Sequence, residues 1–153
     1  METIKIMFVC HGNICRSPMA EFIMKEIVKS SYKYNYIIES RATSYEEIGN
    51  DIYYESKKIL DKHNIKYQRR EAKRITKKEY EEYDYIIVMD DNNIYNLNRI
   101  IGNDYLNKVN KLLYFMESDR DVSDPWYTRR FEDCYNDIYN GCLSLYKHIE
   151  NNH

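Results

Sequence analysis

Cys10 and Arg16 bracket a five-residue loop in Cys10-His11-Gly12-Asn13-Ile14-Cys15-Arg16-Ser17-Pro18, directly after the apolar run Ile4 to Val9. A loop of that length can curl until its backbone N–H groups converge, making a nest for an oxyanion with a sulfur at its floor. Gly12 is expected to supply the backbone freedom for the curl. Ser17 can cap the following helix and Pro18 can take its first position, so that the positive end of the helix dipole faces the loop. A cysteine placed before a helix N-terminus and a guanidinium ionises readily and becomes a nucleophile at neutral pH. The planar fork of Arg16 matches two oxygens of a tetrahedral oxyanion, which a lysine cannot do. These residue types describe attack of the Cys10 sulfur on a bound phosphate ester, giving a cysteinyl-phosphate that water later hydrolyses.

That path needs a proton donor, because an alkoxide or phenoxide departs poorly unless it is protonated in the transition state. Asp124 is the first candidate. It opens Asp124-Pro125-Trp126-Tyr127, where proline fixes the chain behind the carboxylate and two aromatic side chains can wall an aromatic leaving group. Asp90, following another strand-like run, is the rival acid.

The elements that must hold these groups alternate along the chain. Strand-like runs cover Ile4 to Val9, Tyr36 to Glu39, Tyr85 to Met89 and, more weakly, Lys111 to Tyr114. Helical periodicity recurs at Ala20, Ile23, Met24 and Ile27, at Ile52, Ser56, Ile59 and Leu60, and at Ile94, Leu97 and Ile101. A last stripe runs through Phe131, Cys134, Ile138, Cys142, Leu145 and Ile149. Strand followed by helix, repeated, implies a parallel sheet covered on both faces by right-handed crossovers. Ligands then bind at the carboxyl ends of strands, where the Cys10 loop emerges.

At these residues the chain resembles the low-molecular-weight protein tyrosine phosphatases. The matches are Val9-Cys10 through Ala20-Glu21, Ala42-Thr43-Ser44 with Glu46-Glu47-Ile48-Gly49-Asn50, Ile75-Thr76, Met89-Asp90 and Asp124-Pro125-Trp126-Tyr127, in the family's order. The resemblance implies a three-layer αβα fold with a four-stranded parallel sheet and a phosphate-binding loop between the first strand and first helix. It implies Cys10 as nucleophile, with Arg16 and the loop residues His11, Gly12, Asn13, Ile14 and Cys15 around the phosphate. Ser17 would donate to the thiolate, Asn13 with Ser40 would brace the loop, and Asp124 would serve as acid and then base. Cys15 would form a reversible disulfide with Cys10 that protects it from irreversible oxidation. His11, Tyr45, Glu46, Trp126 and Tyr127 would line the substrate pocket, and no metal or cofactor is needed.

Three positions depart from the pattern. His11 stands where many relatives carry an aliphatic residue, which makes the pocket rim more polar. Arg70-Glu71-Ala72-Lys73 replaces His-x-Ala-Arg, so Arg70 falls where a histidine commonly buttresses the loop. The rim aromatic of some relatives falls on Glu46, with Tyr45 one place early. Two other activities share the scaffold. An arsenate reductase needs extra cysteines for a disulfide relay, and Lys77 to Asn98 contains none. A protein-arginine phosphatase typically has threonine where this chain has Ile14. A phosphotyrosine-binding module without turnover would need neither Cys10 nor Asp124.

At 153 residues the chain is expected to form one domain over its whole length, 1–153. A formal net charge of -2 argues against nucleic acid or an anionic membrane as main partner. No segment reads as a membrane span, and the start lacks the basic and apolar stretches of a secretory signal. The expectation is a cytoplasmic enzyme acting on phosphotyrosine-containing proteins or peptides, monomeric apart from weak self-association. Cys134 and Cys142 read as core, while His63 and His148 read as surface helix residues. The basic cluster Arg69, Arg70, Lys73 and Arg74 reads as a solvated face. Tyr127 is a candidate for phosphorylation among 17 tyrosines.

Overall fold

The computed structural model describes residues 1–152. Four strands, β1 (Thr3–Cys10), β2 (Asn35–Ala42), β3 (Tyr85–Val88) and β4 (Val109–Lys111), form one sheet in the order β2-β1-β3-β4. Every pairing is parallel, with Ile6 opposite both Ile38 and Tyr85, and Ile86 opposite Val109. Six helices surround it: α1 (Arg16–Ile27), α2 (Tyr54–Lys62), α3 (Lys77–Glu82), α4 (Asp91–Ile101), α5 (Pro125–Thr128) and α6 (Phe131–Asn152).

Side chains of a strand alternate between faces, and β1 is apolar on both. Ile4, Ile6, Phe8 and Cys10 point into a core with α1 and α6, made by Met19, Ile23, Ile138, Cys142 and Leu145 among others. Met7 and Val9 point the other way, against Tyr80, Ile86, Val88, Leu97 and Ile101. The central strand is thus clamped between two layers, and its C-terminal residue, Cys10, is buried among apolar neighbours. Among the described residues no helix is long and apolar enough to cross a membrane.

Three local expectations need correction, and one helix, α3, went unmarked by apolar periodicity. The last strand lies at Val109–Lys111, and Leu112–Met116 form a 3₁₀ turn instead. Leu112 and Leu113 are both buried, but an apolar pair of this kind suits a covered strand and a helical turn equally, so the sequence run does not distinguish the two. Helix α3 has no apolar period; its signal is the capping box of Thr76 and Glu79, with Tyr80 as its one buried residue. His63 is no free surface residue, since its ring stacks on Tyr135 at 3.8 Å and its Nε2 meets Glu132 at 2.8 Å. Ser17 and Pro18 do not start α1: the helix begins at Arg16, Cys15 is the N-cap, and no side chain caps it.

Candidate active site

The loop leaves β1 at Cys10 and turns through Asn13, whose φ of 61° lies in the left-handed region. The residue with the unusual backbone is therefore Asn13 and not Gly12, and asparagine tolerates that region better than most side chains. Gly12 has no left-handed backbone, and a Cβ there would stand 3.4 Å from Glu47 Cγ, at ordinary contact, so neither conformation nor space demands a glycine at this position. Three loop carbonyls are tied outward by backbone donors. Thr43 N–H donates to Cys10 O, Ser44 N–H to His11 O and Tyr53 N–H to Ile14 O, at 2.9, 3.1 and 2.9 Å. With the carbonyls engaged on the outside, the loop amides are left free to face inward.

Three donors converge on the sulfur. Cys10 Sγ lies 3.0 Å from Ser17 Oγ, 3.3 Å from the Asn13 amide and 3.4 Å from the Ser17 amide. The direction of the first contact follows from the groups behind it. Lys73 N–H donates to Asn13 Oδ1, which identifies the other end of that side chain as the amide nitrogen. Asn13 Nδ2 donates to Ser17 Oγ at 2.8 Å and to Ser40 Oγ at 3.0 Å. Ser40 spends its own proton on Glu21 Oε1 at 2.6 Å, and Lys25 Nζ holds Glu21 Oε2 at 2.6 Å. Both serine oxygens therefore accept from Asn13, which leaves the Ser17 hydroxyl proton for one of two acceptors, Cys10 Sγ at 3.0 Å or the more distant Arg41 carbonyl at 3.4 Å, and the sulfur is the nearer. Glu21, Ser40, Asn13 and Ser17 are all buried, so water does not compete for these bonds.

Arg16 is buried at the pocket floor. Its Nη1 donates to Asp90 Oδ2 at 2.6 Å and to the Val122 carbonyl at 2.8 Å, and its Nη2 reaches Asp124 Oδ2 at 3.3 Å. Burial works against its charge, but Cys10, Asp124 and Asp90 outweigh that and hold the guanidinium above its ordinary pKa. Asp124 caps α5 through Oδ1, which accepts the Trp126 amide at 3.0 Å. Asp90 caps α4, with Oδ1 accepting the Asn93 amide at 2.7 Å. The two carboxylates thus do different things: Asp124 lines the pocket, whereas Asp90 stands behind the arginine.

A pocket of about 240 Å³ opens above the sulfur, lined by the loop from Cys10 to Arg16, by Glu46 and Glu47, and by Asp124, Trp126 and Tyr127. Trp126 is propped edge-on against Tyr53 at 4.9 Å between centroids. Tyr45 does not join this lining: it is exposed, with the Arg74 guanidinium 4.3 Å over its ring. Glu47 takes a place in the wall that residue type alone did not reveal. Arg70 does not buttress the loop either; its Nη1 donates to the Asn50 carbonyl. Glu21 stands behind Ser40 instead. Cys15 is a buried free thiol with its pKa pushed up to about 12, chiefly by burial.

The family profile described as low molecular weight phosphotyrosine protein phosphatase matches residues 5–153. A low molecular weight protein-tyrosine-phosphatase, PtpA of Staphylococcus aureus strain Newman, is 35% identical over 147 residues, covering 95% of this chain and 94% of that protein. YfkJ from Bacillus subtilis has a crystal structure that superposes with a TM-score of 0.89 at 34% identity, covering 98% of this chain and 96% of that one. The low molecular weight protein tyrosine phosphatase SP-PTP from Streptococcus pyogenes does so at 0.84 and 39% identity, covering 98% and 99%.

Proposed function

Because the chain belongs to the low molecular weight protein tyrosine phosphatase family, we propose a specific division of labour among its pocket residues. The reaction is metal-independent hydrolysis of phosphotyrosine in proteins through a cysteinyl-phosphate. In the first step the Cys10 thiolate attacks phosphorus as the ester O–P bond breaks, and Asp124 passes a proton to the departing phenol oxygen. Arg16 and the amides of the loop other than that of Asn13, which donates to the sulfur, hold the three remaining oxygens, where charge is spread in the transition state. The phosphate takes Arg16 Nη2 from Asp124 Oδ2, which frees that oxygen to meet the leaving group. In the second step Asp124 takes a proton from water, the water oxygen bonds to phosphorus, and the S–P bond breaks. Ser17 stabilises the sulfur as it regains its negative charge.

His11, Ile14, Trp126 and Tyr127 wall the phenol ring, and Glu46 stands at the mouth. Cys15 acts as the disulfide partner that shields Cys10 from overoxidation. Residues 1–153 act as one domain, and the same proposal takes it to be a cytoplasmic monomer without nucleic-acid or membrane partners, in keeping with the net charge of -2.

The observation that carries this reading is the convergence of three donors on Cys10 Sγ beneath a pocket that also holds Arg16 and Asp124. The test is turnover of phosphotyrosine, phosphoserine, phosphoarginine and arsenate with chelator present, followed by acid quench and mass spectrometry. Phosphotyrosine should be preferred and a phosphate adduct should sit on Cys10. Full activity in Cys10→Ser, or preference for phosphoarginine or arsenate, would overturn the assignment.

A further inference from the structure

The segment between β2 and α2 brings two carboxylates to the mouth of an anion-binding pocket. Glu46 is 69% exposed, with Oε2 2.9 Å from His11 Nε2. Glu47 is held more firmly: its Oε2 accepts Asn50 Nδ2 at 2.6 Å, and its aliphatic stem lies against the loop at Gly12. Among the described residues lining the pocket, the permanent cation is Arg16, buried at the floor and paired with Asp90 and Asp124. Two cations on flanking segments are turned elsewhere. Arg74 donates to the Thr43 carbonyl and covers Tyr45, while Arg129 donates to Tyr53 Oη and lies over Phe131.

Carboxylates at this position repel a phosphate dianion on approach, so for a bare phosphate ester they are an obstacle. They become favourable when the substrate carries positive charge beside the phosphate. Trp126 and Tyr127, also in the lining, are aromatic and bring no cation to it. We propose that Glu46 and Glu47 determine specificity, and that the enzyme selects phosphotyrosine with lysine or arginine within two residues on either side. At about 3.3 Å per extended residue, those are the positions from which a long basic side chain reaches back to the mouth. This inference rests on the pocket being a phosphotyrosine site.

The test compares kcat/KM for two phosphotyrosyl peptides, one flanked by lysine and arginine and one by aspartate and glutamate, with p-nitrophenyl phosphate as a flank-free reference. The wild type should favour the basic peptide about 3–10-fold at low salt, as expected for two exposed ion pairs, and the ratio should narrow at about 0.5 M salt. In the Glu46→Gln/Glu47→Gln double variant the ratio should approach one. Equal rates on both peptides, preference for the acidic one, or a ratio unchanged in the double variant would overturn the proposal while leaving the phosphatase reading intact. Failure to hydrolyse either peptide or the aryl phosphate would instead remove the reading beneath it.

Discussion

Asp90 holds Arg16 from behind, with Oδ2 2.6 Å from Nη1, while its other oxygen caps helix α4. Both side chains are largely out of water, at 16% and 3% exposure. This carboxylate orients the guanidinium and is not poised over the sulfur. Removing Asp90 leaves Arg16 only the Val122 carbonyl and the more distant Asp124, so Asp90→Ala should lose about 1.5–3 kcal/mol of stability in urea unfolding. Asp90→Asn, whose single acceptor oxygen can keep the Asn93 cap or the Arg16 bond but not both, should weaken vanadate inhibition without selective loss on poor leaving groups. Selective loss on such substrates would make Asp90 the acid.

Asp124→Asn can retain the cap on the Trp126 amide, so it separates proton transfer from loop architecture. Its kcat should fall about 10²–10⁴-fold on phosphotyrosine and far less on p-nitrophenyl phosphate, whose leaving group needs little protonation. Parallel losses on the two substrates would point to disturbed structure.

Glu21 sets the polarity of the chain that ends at the sulfur, because it takes the Ser40 proton. Glu21→Gln lets a donor approach Ser40 in place of the carboxylate that accepts its hydroxyl, which loosens the brace on Asn13 and so the hydrogen bond that Ser17 gives the sulfur. Losing one oriented hydrogen bond to the departing thiolate should lower kcat about tenfold, and phosphoenzyme should accumulate in rapid quench. A change in KM alone would contradict this.

Asp51 links the approach to α2 with the segment at Arg70. Burial raises its pKa, but Lys57 Nζ and the amides of Ile52 and Arg70 outweigh it and hold the carboxyl below the usual range. A group with a lowered folded pKa stabilises the fold above its unfolded pKa, about 4, and loses that contribution as pH falls through the folded value. Melting temperatures of wild type and Asp51→Asn should therefore differ most above about pH 5 and converge below pH 4. A constant gap across that range would assign the effect to packing.

The legible parts of the site were those written contiguously. Cys10 to Ser17 lie within one turn of chain, and Asp124-Pro125-Trp126 carries its own cap, so residue type and spacing suffice to identify them. Asp90 was legible as a strand-end carboxylate, but its role depends on a partner 74 residues away. Glu21 and Lys25 look like an ordinary ion pair one turn apart on a helix; only the crossing of β2 behind α1 brings Ser40 to them. Tyr45 and Glu47 are two residues apart in a loop, and local backbone turns decide which one faces the pocket. The assignment of backbone freedom to Gly12 followed residue type, whereas the left-handed position went to Asn13, whose side chain is also needed inside.

The outward ties on the carbonyls of Cys10, His11 and Ile14 mean that the anion nest exists before any ligand arrives. A receptacle formed in advance offers the same oxygens' worth of donors to free orthophosphate as to the ester it cleaves. If the proposed phosphate-binding role of this loop holds, orthophosphate should compete with the ester, and initial rates measured at rising orthophosphate should show a competitive pattern.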